Sequence, residues 1–288
     1  MLLDARGPLP ALQALAEFVT RHPRLAVLTG AGCSTASGLP GYRDEQGAWK
    51  TRPPVRFAEF VEHDHARRRY WSRSLLGWPR VARARPNAAH RALAALEGAG
   101  RIGRLVTQNV DGLHQKAGSR RVIDLHGRLD TVECLGCAQT LSREDMQHLL
   151  TAWNPDFGSA PEASPMRPDG DAPVESNLSA FRVPSCPGCG GTLKPAVVFF
   201  GENVPRPRVE AALQAIDEAD ALLVVGSSLM VFSGFRFCLA ARERGKPVAA
   251  VNLGRTRADS LLAFKVEADC GAALEGLLER IGGPAGPA

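Results

Sequence analysis

The chain has few aromatic residues and no long apolar run. Phe, Trp and Tyr make up 6% of its 288 residues, and no stretch approaches the roughly 18 to 20 apolar residues that would cross a bilayer. The first residues, MLLDARGPLPALQALAEFVTRHP, also lack the apolar segment and the cleavage site of a signal peptide. Together these absences predict a cytoplasmic protein with no membrane partner.

A basic stripe is also missing, although the chain is basic overall. Its formal net charge is +5, but the lysines and arginines are scattered. The cluster Arg67-Arg68-Arg69 is typical of a solvated helix face, because a nucleic-acid site needs a basic stripe together with a reading motif. We therefore expect no nucleic-acid partner. The composition leaves the oligomeric state open.

The remaining composition is that of a globular chain, with 44% hydrophobic and 23% charged residues. Short apolar runs alternate with amphipathic stretches of helical period. Strands are predicted at 25–28, 102–107, 122–125, 196–200, 221–225 and 248–252, and helices after Pro8, over 57–76, 86–97, 207–218 and 233–244, and from 271. This alternation predicts an α/β fold, with a mostly parallel sheet and helices on both faces.

Seven cysteines in a cytoplasmic chain argue against a disulfide scaffold. Four of them form two pairs, Cys134-x-x-Cys137 and Cys186-x-x-Cys189, and each pair can present two thiolates to one tetrahedral zinc ion. Four sulfur ligands leave no open position, so such a zinc is structural. The alternative is two unrelated turns with redox-active or buried cysteines. A stretch rich in Pro, Ser, Gly and Asp at 151–180 predicts an irregular insertion between the pairs.

A glycine-rich stretch, LTGAGCSTASGLPGYRD, begins at the end of the first predicted strand and spans residues 28–44. Thr35 stands where the third glycine of the G-x-G-x-x-G dinucleotide fingerprint belongs. The glycines fit a phosphate-binding turn. An ordinary dehydrogenase is disfavoured, both by Thr35 and by the cysteine module inserted in mid-sheet.

Polar residues follow several predicted strands, in TQNVDGLH (107–114), VIDLHG (122–127), LLVVGSSL (222–229) and AVNLG (250–254). Taken singly, Asp111 could be a helix cap, Asn109 a turn residue and His126 a buried core histidine. Because parallel strands end at one edge of a sheet, the four clusters together predict an extended nucleotide lying across that edge. In that setting His126, with an ordinary pKa near 6.5, is a candidate for proton transfer.

The ordered motifs resemble those of the sirtuins, NAD-dependent protein lysine deacylases, over almost the whole chain: GAGCSTASGLPGYR, TQNVDGLH, DLHG, two Cys-x-x-Cys pairs, LKPAVVFFGE, GSSL, VNLG and a late Cys270. RYWSR and LMVFSGFRF look most like the class II, mitochondrial-type branch, in a bacterial relative. The resemblance implies a Rossmann-like domain formed by 1–56, 81–130 and 196–288. It implies a small domain formed by a helical part at 57–80 and a zinc-binding module with a long insertion at 131–195.

The resemblance also implies roles for individual residues. His126 would be the general base, with Asn109 as a second catalytic residue. NAD, the co-substrate, would be held by Gly30, Ala31, Gly32, Ser34, Pro40, Tyr42, Arg43, Gln108, Asn109, Val110, Asp111, Gly226, Ser227, Ser228, Asn252, Leu253, Gly254 and Cys270. The acyl-lysine peptide of a partner protein would pair with Val197, Val198, Phe199, Gly201 and Glu202. The four paired cysteines would hold one structural zinc ion.

In the implied reaction, Asp111 holds the nicotinamide in an orientation that weakens its glycosidic bond. The acyl oxygen then attacks the anomeric carbon of NAD, and nicotinamide leaves. His126 then removes a proton from a ribose hydroxyl, which attacks the imidate, and water releases lysine and O-acyl-ADP-ribose. The alternative is an NAD-dependent protein mono-ADP-ribosyltransferase, which delivers the ribose to a protein side chain. A non-catalytic NAD or ADP-ribose sensor is disfavoured, because a sensor needs no base at position 126.

The preferred acyl group, acetyl or a longer or acidic one, stays open. Tyr70 and Arg73 resemble the Tyr-x-x-Arg pair that grips acidic acyl groups in some sirtuins. The alternative is an ordinary amphipathic helix with the tyrosine packed and the arginine solvated, since residues three apart are neighbours in any helix. Three positions depart from the usual family pattern, although none removes a reacting group: Gly41, Ala196 and Gly254.

Overall fold

The computed structural model describes residues 8–41, 44, 46, 48, 50, 54–157 and 178–282. The strands are β1 (Leu25–Thr29), β2 (Ile102–Thr107), β3 (Val122–Asp124), β4 (Gly127–Cys134), β5 (Thr140–Ser142), β6 (Leu193–Val197), β7 (Ala221–Val225), β8 (Val248–Val251) and β9 (Phe264–Val266). The helices are α1 (Pro8–Arg21), α2 (Phe57–Glu62), α3 (Asp64–Arg83), α4 (Ala88–Gly98), α5 (Leu113–Lys116), α6 (Arg143–Trp153), α7 (Arg206–Glu218), α8 (Phe232–Glu243) and α9 (Cys270–Arg280). Short 3-10 helices span Ala31–Ser37, Leu178–Ala180 and Asp259–Leu261.

The larger sheet has the strand order β3-β2-β1-β7-β8-β9, and each neighbouring pair is parallel. Every residue of β1 and β7 is buried. Their sequences, LAVLT and ALLVV, are almost wholly apolar because parallel strands are covered on both faces. Side chains of α1, α4 and α9 pack on one face, and those of α7 and α8 on the other. The predicted α/β class is confirmed.

A smaller antiparallel sheet has the order β5-β4-β6. The predicted strand at 196–200, placed among the alternating strands and helices, is wrong in its extent and its partner. Strand β6 ends at Val197 and pairs with β4, with Cys134 opposite Leu193. An apolar run indicates burial but not which strand it pairs with, so the sequence pattern alone could not assign it to this sheet.

The helical stretch predicted over 57–76 is two helices that meet at His63, and α3 continues to Arg83. Phe60, Tyr70 and Trp71 of these helices pack in one core with apolar residues of β4 and β6. This core is separate from the two that cover the larger sheet, so it supports the region around the smaller sheet.

The insertion predicted at 151–180 begins later than expected, because α6 extends to Trp153. Residues 158–177 lie outside the described residues. On either side of them, the rings of Phe157 and Phe181 pack edge to face with centroids 4.7 Å apart. No helix within the described ranges is both long enough and apolar enough to cross a membrane.

Candidate active site

The carboxyl ends of β1, β2, β7 and β8 open onto a cleft of about 560 Å³. The loops that follow these strands line one side of the cleft, and the segment 197–204 lines another. Ligand sites commonly have volumes of about 300 to 1,000 Å³. The cleft also lies at the edge where open α/β sheets bind nucleotides.

The glycine-rich loop after β1 packs directly on the loop after β7. Gly32 N donates to Gly226 O at 2.8 Å, and Gly226 has a φ of +62°. A side chain on Gly226 would overlap Cys33 N, and one on Gly30 would overlap Ser227. Glycine at these positions therefore lets two stretches of backbone meet at the cleft. The absence of side chains at these glycines also lets the phosphates of a nucleotide approach the loops closely.

Asn109 and Asp111 are tied to the glycine-rich loop through Ser34. Asn109 Nδ2 donates to Gly30 O and to Ser34 Oγ, each at 3.0 Å. Ser34 Oγ donates to Asp111 Oδ2 at 2.7 Å, and Asp111 Oδ1 accepts from Leu113 N at 2.9 Å. Burial raises the pKa of the Asp111 carboxyl, while the hydrogen bonds from Leu113 and Ser34 act in the opposite direction. The network holds an amide and a carboxyl group side by side in the cleft, where they can bind a polar ligand group.

His126 lies in the two-residue connection between β3 and β4, directly before Gly127. Its Nδ1 is 2.9 Å from Gln108 O, and its Nε2 is 2.8 Å from Ser233 Oγ. A carbonyl oxygen only accepts, so we assign the proton to Nδ1, and Nε2 accepts from the Ser233 hydroxyl. Burial lowers the pKa of His126, an effect that Arg208 reinforces and the bond to Gln108 opposes. The imidazole is thus a neutral base with its lone pair at the cleft.

The segment after β6 is shaped by a buried lysine. Lys194 is 1% exposed, and its Nζ donates to Val197 O at 2.7 Å and lies 3.3 Å from the carboxylate of Glu202. Glu202 in turn accepts from Phe199 N at 2.8 Å. These contacts fix residues 197–202 as one wall of the cleft.

Tyr70 and Arg73 differ in their relation to the cleft. Tyr70 is 4% exposed, lines the cleft, and packs on Phe199 with ring centroids 5.2 Å apart. Arg73 is half-buried and is not among the described residues that line the cleft. The structure therefore brings only the tyrosine of this pair to the site.

The cleft gathers most of the residues predicted to bind the cofactor and the substrate: Gly30, Ala31, Gly32, Ser34, Pro40, Tyr70, Gln108, Asn109, Val110, Asp111, His126, Val197, Val198, Phe199, Gly201, Glu202, Gly226, Ser227, Ser228, Asn252, Leu253 and Cys270. Among the predicted site residues that the structure describes, Arg73 and Gly254 do not line the cleft. Tyr42 and Arg43 lie outside the described residues.

Sequence analysis missed two residues that order this site, Ser233 and Lys194. Ser233 lies in LMVFSGFRF, and its side chain contacts that of His126, which stands 107 positions earlier in the chain. No periodicity connects residues so far apart. Lys194 lies in LKPAVVFFGE, where an isolated lysine among apolar residues was the available signal of a buried, paired charge.

The four paired cysteines come together at the end of the smaller sheet. Their sulfur atoms all lie within 4.8 Å of one another, with 3.5 Å between Cys134 and Cys189 and 3.8 Å between Cys137 and Cys186. A tetrahedral zinc ion with Zn–S bonds of about 2.3 Å requires sulfur atoms about 3.8 Å apart. The cluster fits one zinc ion and uses all four of its positions, so the metal is structural.

Comparison with known proteins identifies the family. The model of the Sir2 family matches residues 30–233. The chain belongs to the Sir2 family. It is 60% identical to NAD-dependent protein deacetylase 2 of Bradyrhizobium diazoefficiens, over 93% of this chain and 98% of that protein. It is 46% identical to the NAD-dependent protein deacylase Sirt4 of Drosophila melanogaster, over 90% of this chain and 84% of that protein.

Solved structures agree with the sirtuin assignment. A Sir2 structure with a p53 peptide and NAD⁺ is 30% identical to this sirtuin and has a TM-score of 0.74. The match covers 94% of this chain and 98% of that chain. A Sir2 structure bound to an acetylated peptide is 29% identical, with a TM-score of 0.73 and the same coverage of both chains. The resemblance inferred from the ordered motifs is confirmed.

Proposed function

We propose that this sirtuin is an NAD-dependent protein lysine deacylase that releases nicotinamide and O-acyl-ADP-ribose. The observation that carries the proposal is the placement of His126. It is a neutral imidazole whose Nε2 lies in a cleft bordered by the nucleotide-binding edge of the sheet and by the segment 197–204. A base at that point reaches a ribose and a lysine side chain that enter from different sides. The names of the relatives support the same reaction.

The residues divide the work along the cleft. Gly30, Gly32 and Gly226 have their own N–H groups bonded within the protein, and their lack of side chains lets the phosphates of NAD approach these loops closely. Asn109 and Asp111 hold the nicotinamide carboxamide and its ribose through their amide and carboxyl groups. The segment 197–202 takes the substrate backbone as an added strand, so recognition depends little on the substrate side chains.

His126 then acts on a ribose hydroxyl. With Nδ1–H donated to Gln108 O, its Nε2 exchanges the Ser233 hydroxyl for the ribose hydroxyl and accepts that proton. By then the acyl oxygen has displaced nicotinamide at the anomeric carbon, so the deprotonated ribose oxygen attacks the carbon of the resulting imidate. Water then releases lysine and O-acyl-ADP-ribose. The zinc ion takes no part in these steps, because its four sulfur ligands leave no position for substrate.

The direct test is a panel of acetyl-, succinyl-, glutaryl- and lipoyl-lysine peptides incubated with NAD. We expect NAD-dependent release of nicotinamide, a peptide that has lost its acyl group, and an ADP-ribose that has gained it. Nicotinamide release with ADP-ribose attached to protein, and no acyl-ADP-ribose, would instead identify a mono-ADP-ribosyltransferase. Turnover of acetyl-lysine equal to or better than that of the acidic acyl groups would reject a role for Tyr70 and Arg73 in acid selection.

The pH dependence of kcat/KM tests the state of His126. The base must be unprotonated, and burial lowers its pKa from the ordinary value of 6.5, so the unprotonated form persists below pH 6.5. We therefore expect the acid limb of kcat/KM to fall below pH 6.5. Arg208→Gln removes a positive charge that lowers this pKa and is expected to move the limb to higher pH. An acid limb above pH 6.5 in the unmodified protein would contradict a buried neutral base.

We further propose that the protein works in the cytoplasm. The support is the four-thiolate cluster, because a reducing compartment keeps cysteines available as metal ligands.

A further inference from the structure

An exposed aromatic ring at the edge of the cleft is flanked by two arginines, of which Arg236 lines the cleft and Arg257 does not. Phe232 lines the cleft and yet is 51% exposed. The Arg236 and Arg257 Cζ atoms lie 5.2 Å and 5.8 Å from the centre of its ring. We call Phe232, Arg236 and Arg257 the arginine patch. It begins one residue before Ser233, which contacts His126, so it adjoins the reacting centre.

The two guanidinium groups have no carboxylate partner among the residues that the structure describes. Arg236 lines the cleft, and its Nε is buried without a hydrogen-bond acceptor. The Arg257 side chain donates to Met230 O at 3.4 Å, which leaves its charge unbalanced. Arg206 and Arg244, in contrast, each pair with an acidic side chain. An unsatisfied buried donor is costly, so an acceptor that enters the cleft gains a hydrogen bond there.

We propose that the arginine patch is a subsite for an aspartate or glutamate side chain that flanks the acyl-lysine of the substrate protein. The inference rests on the proposed deacylase function and adds a side-chain preference to it. A carboxylate matches the planar guanidinium with two parallel hydrogen bonds, and the exposed part of the Phe232 ring can pack against its methylene groups. Two adjacent positive charges favour one negative side chain over a neutral or positive one.

The position of the patch favours the peptide over NAD as the occupant. The bare backbone suited to phosphates lies at Gly30, Gly32 and Gly226, at the beginning of the loop that runs from 226 to 233. Phe232 lies at the other end of that loop, directly before Ser233, and Arg236 follows one turn later in α8. An extended peptide advances about 3.3 Å per residue, so a residue three positions from the acyl-lysine lies about 10 Å from it along the peptide. The acidic residue is therefore expected close to the modified lysine.

The test compares pairs of acyl-lysine peptides that differ only by Glu or Gln at one position, scanned over about three residues on each side of the lysine. We expect the Glu peptide to have the higher kcat/KM at one or more positions, by about 1.4- to fivefold, the range for exposed ion pairs. We expect this difference to arise from a lower KM for the Glu peptide. Arg236→Gln and Arg257→Gln are each expected to bring the Glu-to-Gln ratio towards one. A double replacement by Glu is expected to reverse the preference towards a Lys-bearing peptide.

Arg242→Gln is the matched control. Arg242 is exposed, belongs to α8 as Arg236 does, and does not line the cleft. It is expected to keep the Glu-to-Gln ratio of the unmodified protein. Equal kcat/KM for the two peptides at every position would overturn the subsite while leaving the deacylase function intact. A rise in the KM for NAD in the patch variants, with an unchanged peptide ratio, would also overturn it and place NAD phosphates there. Absence of nicotinamide release with every peptide would contradict the deacylase function itself.

Discussion

Replacing His126 with alanine is expected to lower deacylation by about 10²- to 10⁴-fold, the usual contribution of a positioned base. Binding of NAD is expected to change little. The reason is that the phosphate and carboxamide contacts assigned to the glycine-rich loop, Asn109 and Asp111 are held by Ser34 and Gly30, and not by the imidazole. The loss therefore appears in turnover, with NAD affinity measured separately by calorimetry.

A second variant separates basicity from structure. In His126→Asn, the side-chain amide can still donate to Gln108 O, as Nδ1 does in the native protein, but it offers no base. Both variants are expected to retain exchange of labelled nicotinamide into NAD better than they retain formation of acyl-ADP-ribose, because cleavage of nicotinamide precedes proton removal. His148→Ala, at an exposed histidine of α6, is the control and is expected to have full activity. Full product formation in either His126 variant would refute the assignment of the base.

The sequence alone was sufficient for the α/β class, because buried parallel strands are short apolar runs and their ends carry the polar motifs. Asn109, Asp111 and His126 each had a plausible structural role on its own. Their convergence could be predicted because parallel strands deliver their carboxyl ends to one edge. The metal cluster was predictable for a similar reason, since the Cys-x-x-Cys spacing is itself the geometry of a two-thiolate turn.

What the sequence could not supply was pairing at a distance. The apolar run after the second cysteine pair belongs to the antiparallel sheet, and only the register of Leu193 with Cys134 reveals it. The bond between His126 and Ser233 likewise depends on where the first turn of α8 lies relative to the connection between β3 and β4. The Tyr70 and Arg73 spacing fits one helix face, yet only Tyr70 lines the cleft, because helical spacing shows that two residues are neighbours but not which of them reaches a site.

Replacing Cys189 with serine is expected to remove the zinc ion and to abolish most deacylation. Cys189 is exposed, so replacing its sulfur by oxygen leaves no cavity in a hydrophobic core. The effect of the substitution therefore reflects loss of the metal. The two Cys-x-x-Cys turns join the end of β4 to the start of β6, and the cleft wall at 197–202 follows β6 directly. Loss of the metal is therefore expected to loosen this wall, raise the KM for the peptide and lower the thermal midpoint.

NAD binding provides the internal comparison for the zinc variant. The glycines proposed to face the phosphates of NAD follow strands of the larger sheet, which do not pair with β4 or β6, so NAD affinity is expected to survive better than peptide turnover. Zinc content by elemental analysis should fall from one ion per chain in the native protein to none. Cys238→Ala, at a buried cysteine of α8, should retain the zinc. A Cys189→Ser protein without zinc but with native peptide turnover would show that the metal does not support the substrate wall, since the fourfold sulfur cluster would then be dispensable for the geometry of residues 197–202.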